Sequence, residues 1–329
     1  MITSITDPSQ VGEARRKVAS FARELGGDEE ELGRAALIAT ELATNLVKHG
    51  GGGDLLIERF SDGDGTGLEL IALDKGAGMS DLARCFGDGY STAGSPGNGL
   101  GAIGRQSSRV ALYSRPGLGT ALMARLALAA PAPATQGIEL GSHAFTYPGE
   151  TVCGDGWAFA NPAAGPTLLM ADGSGHGAMA AAAAALAVEI FCRNADLDCE
   201  PLAESLHRGL APTRGAALAL ARFDRQRRLV RFVGIGNISG ALASGGELRR
   251  MVTHNGTAGH VAPRIRAFDY PVQGDPLIIL HSDGLSAKWD AATYPGLLQA
   301  HASVISGILF RDYRRGSDDA CIAAMRVSA

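Results

Sequence analysis

Asp155 in VCGDGWAF, Asp172 in MADGSGHG, Asp283 in LHSDGL and the neighbours Asp318 and Asp319 in GSDDACIAAM stand at the borders of apolar runs in the second half of the sequence. Strand ends converge at the rim of a sheet protein, so residues far apart in the chain can gather there. Two carboxylates held at ~4 Å repel by about 4 kcal/mol at an effective dielectric of 20. Several in one place need divalent cations to stay ionised. Hard oxygen donors without a Cys/His cluster favour Mg²⁺ or Mn²⁺ over zinc. Two such ions can hold one phosphate between them and lower the pKa of bridging water toward ~7, which is the chemistry of a phosphatase. The Gly-Ser-Gly-His-Gly run after Asp172 resembles a phosphate cradle, but the aspartate would repel the phosphate. A second reading also stands: Asp-Gly is a common turn pair and recurs at 155, 172 and 283. Spacing alone leaves both open, and His176 reads as a turn or supporting residue.

A different set lies in the first half. Glu41 and Asn45 are one helical turn apart on a predicted helix and share a face. Asp74 ends a predicted strand in DKGAGM, with Gly76 and Gly78 behind it, and GDGYSTAGSPGNGLGAIGR leads through Gly97, Gly99 and Gly101 into a helix. GLGT, ending at Thr120, makes a small turn before the last strand of this half. A strand-end carboxylate can accept the exocyclic amine of adenine. The glycines let backbone N–H groups and a helix N-terminus approach phosphates. Asn45 offers a neutral oxygen to the Mg²⁺ that accompanies ATP, and Glu41 is placed to take a proton from an attacking hydroxyl or water. Each piece has a bland counterpart: a hairpin turn, a chance glycine pattern, a solvated helix face. Glycine is 45 of 329 residues, about twice the usual ~7%, so only the ordered set carries weight. Walker and kinase HRD or DFG motifs are missing.

The elements that must position these residues are legible from periodicity. Helices are predicted over 11–26 and 28–50, the second opening on an Asp28 N-cap with acids in its first turn. Strands are predicted over 54–60, 67–74, 109–115 and 119–128, giving a two-layer α/β sandwich. Pro131 and Pro133 forbid a continuous helix and mark a stiff linker. Beyond it, strands are predicted at 138–147, 166–171, 216–224, 229–236, 239–244, 276–283 and 320–327, with helices at 177–195, 200–211 and 296–312. Many antiparallel strands with few segregated helices predict an α+β domain of two packed sheets. The domains read as 1–127, a linker over 128–137, and 138–329.

Composition narrows the class. The net charge of −4 carries no nucleic-acid footprint, and no basic run suggests a membrane surface. The 5 cysteines form no CxxC pair and read as reduced thiols. The start MITSITDPSQ has no signal-peptide pattern, and the Ala-rich run after Gly177 is too short to span a bilayer. A cytoplasmic protein is expected.

ELATNLVKHG, DKGAGM, DGYSTAGSPGNGLG and GT resemble the N, G1, G2 and G3 boxes of the GHKL ATPases, and within them the anti-sigma-factor and stressosome switch serine kinases. The resemblance, over residues 1 to about 127, implies Glu41 as catalytic base and Asn45 as Mg²⁺ ligand. It implies Asp74, Gly76, Gly78 and Thr120 around the adenine end, and Gly97, Gly99 and Gly101 at the phosphates. The phosphorylated histidine of sensor kinases is absent, so transfer would go directly to Ser or Thr. CGDGW, MADGSGHG, TRGAALALARFD, GIGNISG, HNGTAGH, LHSDGL and SDDA resemble, in order, the SpoIIE-type branch of the metal-dependent type-2C phosphatases. This implies an α-β-β-α sandwich over 138–329. It also implies Asp172 bridging two Mg²⁺ or Mn²⁺ ions, a Gly173 carbonyl ligand, Asp283 and Asp318 on the first ion, and Asp155 on the second. Asp319 would support rather than ligate. Cys153 and Gly156 depart from the family pattern around Asp155, and Arg214 is a weak candidate to steer phosphate. Together these imply a bifunctional kinase and phosphatase acting on STAS-domain regulators in sigma-factor partner switching. The rival is an ATP-binding module that senses nucleotide or sequesters a sigma factor without useful kinase activity.

Overall fold

Asp28 closes a capping box at the start of the longest helix: its side chain accepts the Glu31 backbone N–H at 2.8 Å, and Glu31 accepts the Asp28 N–H at 2.9 Å. That cap fixes the rotation of a helix whose inner face is Leu32, Ala35, Ile38, Ala39, Leu42, Ala43 and Leu46. The computed structural model describes residues 1–80, 99–262 and 264–328. The chain divides into two units, Met1–Glu139 with Tyr294–Ile308, and Leu140–Thr293 with Leu309–Ala329.

The first unit runs β1 (Ile2–Ile5), α1 (Gln10–Glu24), α2 (Glu29–Lys48), β2 (Gly53–Asp62), β3 (Gly65–Asp74), α3 (Gly99–Gln106), β4 (Arg109–Arg115) and β5 (Gly119–Ala129). The strands form one antiparallel sheet in the order β1-β2-β3-β5-β4. Alternation along β3 sends Leu68, Leu70 and Ala72 into the core shared with α1 and α2. The opposite set begins with Glu69, whose register partner on β5 is Arg125. Arg125 is fully buried. Its Nε donates to Glu69 at 2.6 Å, and its Nη1 donates to both Asp62 oxygens and to Asp64 at 2.9 Å. Its Nη2 donates to Ser303 Oγ at 3.1 Å, and the guanidinium lies 4.4 Å from the Phe60 ring centroid. Residues Tyr294–Ile308 thereby belong to the charge network of this unit.

Beyond β5 come β6 (Ile138–Phe145), β7 (Asp155–Ala160), β8 (Thr167–Gly173), α4 (Ala178–Asn194), α5 (Cys199–Gly209), β9 (Ala216–Asp224), β10 (Leu229–Ile235), β11 (Ser239–Ser244), β12 (Glu247–Met251), β13 (Phe268–Pro271), β14 (Leu277–His281), α6 (Ala302–Tyr313) and β15 (Ala320–Val327), all in the second unit except β6 up to Glu139 and α6 up to Ile308. There are two sheets, β13-β10-β9-β8-β7 and β12-β11-β14-β15-β6. Alanines of α4 let it lie close on β7 and β8, where Ala184, Ala187 and Phe191 join Leu169, Ala171 and Leu218 in one core. β7, β12 and β13 are strands that periodicity did not predict. The helix expected over 296–312 is a 3₁₀ turn at Leu297–Gln299 and then α6. No helix among the described residues is long and apolar enough to cross a membrane.

Candidate functional site

In the first unit, Glu41 and Asn45 are half-buried on α2. α3 begins directly against them. A Cβ on Gly99 would lie 2.9 Å from Glu41 Oε2 and 3.8 Å from Asn45 Oδ1, so only a glycine admits this approach without pushing the carboxylate aside. Gly101 lies in the first turn of α3, and Gly97 falls outside the described residues. Asp74 Oδ1 accepts the N–H of Gly76 at 2.8 Å and of Thr120 at 3.1 Å. Those two bonds bring the end of β3, its turn and the start of β5 to one carboxylate. Ser114, which sequence reasoning did not single out, completes the frame. Its hydroxyl accepts from Met79 N at 2.8 Å, donates toward Gly119 O at 3.1 Å, and lies 2.9 Å from Thr120 Oγ1. Gly78 has a φ of 71°, and a Cβ there would meet the Arg115 carbonyl at 1.9 Å, so this turn requires glycine.

In the second unit, Asp155 opens β7 directly opposite Asp172 on β8. Gly173 N–H donates to Gly154 O at 3.0 Å. A Cβ on Gly173 would strike the Ala180 carbonyl at 2.1 Å, so glycine is what lets β8 run against the start of α4. Asp283 follows β14, and Asp318 and Asp319 precede β15. Asn237 Nδ2 donates to Asp283 at 2.7 Å, and Ser282 Oγ donates to Asp155 Oδ2 at 2.6 Å. Asp319 Oδ1 accepts the Tyr147 N–H at 2.8 Å, while its Oδ2 is buried without a hydrogen-bond partner. Ser282, Asn237 and Tyr147 escaped sequence reasoning, although Ser282 and Asn237 lie within LHSDGL and GIGNISG.

Asp172, Asp283 and Asp318 line a cavity of about 700 Å³ together with Ser174, Asn237 and Thr257. Burial first, and then the neighbouring aspartates, push Asp155 and Asp172 well above the usual carboxylate range. Asp283 is raised by burial and then by Asp318. Among the described residues, no three His, Cys, Asp or Glu side chains close around a common point as a ligand cage. The donor chemistry nevertheless fits a hard divalent cation: Asp172, Asp283 and Asp318 line one cavity, and Asp155 lies opposite Asp172. Burial pushes the Cys153 thiol up to about 12. His176 Nδ1 pairs with Glu150 at 2.7 Å beside the cavity. Arg214 is exposed, with Nη1 3.3 Å from where a Gly175 Cβ would sit.

Comparison with known proteins finds two families along the chain. The family Stage II sporulation protein E (SpoIIE) matches residues 164–328, half of the sequence. The chain belongs to the SpoIIE family. Asp172, Asp283 and Asp318 lie inside that match and Asp155 precedes it. Residues 5–128 match the histidine kinase-like ATPase domain. The serine/threonine-protein kinase RsbT of Bacillus subtilis (strain 168) is 35% identical over 111 residues, covering 34% of this chain and 84% of RsbT. A solved structure described as the bacterial stressosome, a modular system adapted to control secondary messenger signalling, is 26% identical. It aligns with a TM-score of 0.53 over 57% of this chain and 99% of its own. RsbX in complex with magnesium is 21% identical with a TM-score of 0.52, over 58% of this chain and 96% of RsbX, which shows a shared fold. The chain therefore joins a GHKL-like ATPase domain to a unit with the type-2C-like phosphatase fold.

Proposed function

We propose that this SpoIIE-family chain is a bifunctional signalling enzyme, an ATP-dependent protein Ser/Thr kinase and a metal-dependent protein Ser/Thr phosphatase, acting on STAS-domain regulators in a partner-switching pathway. The observation that carries this reading is the presence of both constellations in one chain: Gly99 brought against Glu41 and Asn45, and Asp155 held opposite Asp172 in register.

In the kinase half, Asp74 accepts the adenine amine and backbone N–H groups around Gly97, Gly99 and Gly101 receive the phosphates. Asn45 holds Mg²⁺, and Glu41, one turn away, takes the proton from the attacking Ser or Thr hydroxyl. In the phosphatase half, Asp155, Asp172, Asp283, Asp318 and the Gly173 carbonyl hold two Mn²⁺ or Mg²⁺ ions. When bound, these supply positive charge to phosphate oxygens and an acidified water. Asp319 supports the loop before β15 through Tyr147 N–H. Arg214 beside the Gly175 turn adds a cation at the cavity edge. Running both reactions on one phosphosite would consume ATP to no end, so the halves serve different sites or a signal silences one of them.

The test is a time course of phosphate on a STAS-domain partner, followed by intact mass with ATP and Mg²⁺. In an Asp172→Ala background new phosphate should accumulate. Adding Glu41→Ala should slow transfer by ~10²–10⁴-fold while ATP still binds. Asn45→Ala should weaken nucleotide binding itself. A Glu41→Ala chain that phosphorylates as fast as its parent rules out this mechanism. A parent that binds ATP and a sigma factor but phosphorylates no STAS partner favours the binding-module reading.

A further inference from the structure

Ser282 is fully buried between the two sheets of the second unit, and its hydrogen bonds leave little freedom. Its N–H donates to Cys321 O at 2.9 Å, and its Oγ accepts the Cys321 N–H at 2.9 Å. A backbone N–H can only donate, so the hydroxyl must accept there and keep its single proton for another partner. Two acceptors are within reach, the Asp155 carboxylate at 2.6 Å and the Cys321 carbonyl at 3.4 Å. The shorter bond, to Asp155, takes the proton.

The consequence is topological. Asp155 opens β7, on the rim of the sheet β13-β10-β9-β8-β7, while Ser282 follows β14 and Cys321 belongs to β15 of the other sheet. Asp283 is the next residue after Ser282, and Asp318 and Asp319 lie just before Cys321. One hydroxyl therefore fastens a carboxylate of one sheet to the chain segments that carry the remaining acidic residues of the other. We infer that Ser282 is the positioning residue of the metal centre, fixing the orientation of Asp155 and its separation from Asp283 and Asp318. The inference rests on the phosphatase reading above. Ser282 has no exposed surface and acts through Asp155.

Alanine leaves Asp155 Oδ2 and the Cys321 N–H without the hydroxyl, whereas threonine keeps it. Mn²⁺ binding to the full chain without nucleotide is read by electron paramagnetic resonance of the free ion, with Asp172→Ala as the baseline lacking the phosphatase ions. Para-nitrophenyl phosphate hydrolysis is titrated with Mn²⁺ in parallel. Ser282→Ala should weaken Mn²⁺ binding by about 10–100-fold, the usual effect of losing a group that orients a ligand. Hydrolysis should recover substantially at saturating Mn²⁺, and Ser282→Thr should bind Mn²⁺ close to the parent. Metal-free unfolding midpoints of parent and variants separate this from a folding role. A Ser282→Ala chain that loses midpoint but binds Mn²⁺ like the parent makes the serine structural and overturns the inference. Unchanged Mn²⁺ binding in Ser282→Ala, or equal loss in the threonine variant, overturns it too while parental hydrolysis keeps the phosphatase reading standing. A parent that neither binds Mn²⁺ above the baseline nor hydrolyses the ester overturns both.

Discussion

At the scale of single residues, Asp74 shows what the structure adds to a motif. Its Oδ1 already receives two backbone donors, from Gly76 and Thr120. In Asp74→Asn the amide oxygen must take over those donors, which turns the NH₂ to the position of Oδ2. A donor would then face the donor of the adenine amine. Since a hydrogen bond to a charged group is worth about 1.5–3 kcal/mol, ATP affinity should fall roughly tenfold or more. GTP should bind the parent poorly, because guanine presents an oxygen where adenine has the amine. Isothermal titration with both nucleotides checks this, and equal affinity for ATP and GTP would remove Asp74 from the base site. The carboxylates of both sites were legible because an aspartate at the edge of an apolar run is conspicuous. Ser114 and Ser282 were not. A hydroxyl beside a strand carries no periodic signal, and the Asp155 that gives Ser282 its meaning is 127 residues away.

At the scale of elements, β8 and α4 meet where Gly173 allows them to. A Cβ there would fall 2.1 Å from a backbone carbonyl of α4, which cannot swing away as a side chain would. Gly173→Ala should therefore push the β8 end away from α4 and carry Asp172 with it. Overpacking of this kind costs about 1–3 kcal/mol, so urea unfolding should shift modestly while phosphatase activity falls far more. Activity close to parental would mean that the Asp172 position tolerates the displacement. Element prediction from the sequence followed the same physics. α2 announced itself through Asp28, an acidic first turn and a clean apolar stripe. β12 and β13 stayed hidden because each is short and lacks a continuous apolar alternation; Glu247–Met251 reads ELRRM and Phe268–Pro271 reads FDYP. Such strands are specified by their partners across the sheet rather than by their own composition.

At the scale of the whole molecule, sequence order and folding unit do not coincide. Residues Tyr294–Ile308 come late in the chain yet belong with Met1–Glu139, where Ser303 bonds Arg125 at 3.1 Å and Glu69 at 2.8 Å. His301 Nε2 lies 3.5 Å from Asp64, an approach that misses hydrogen-bond geometry. The His301 contact first, and then Arg125, hold the Asp64 carboxyl down at about 2, against an ordinary 3.8. A depressed carboxylate stabilises the folded state above its unfolded pKa, and that contribution is lost as pH falls from near 3.8 through about 2. It amounts to at most about 2.5 kcal/mol. A fragment ending at residue 137 keeps every strand of the first sheet but loses His301 and Ser303. Arg125 and Glu69 then face outward without the serine, and Asp64 returns toward its ordinary titration. Removing a partner from buried polar groups costs about 1–3 kcal/mol, so amides of β3 and β5 should exchange roughly 5–150-fold faster in the fragment than in the full chain at neutral pH. The part of the acid limb that Asp64 contributes, between about 3.8 and 2 in the full chain, should shrink in the fragment. Equal protection of β3 and β5 in both proteins would show that the late segment adds nothing to the ATPase-like unit, and that the unit is complete where its strands end.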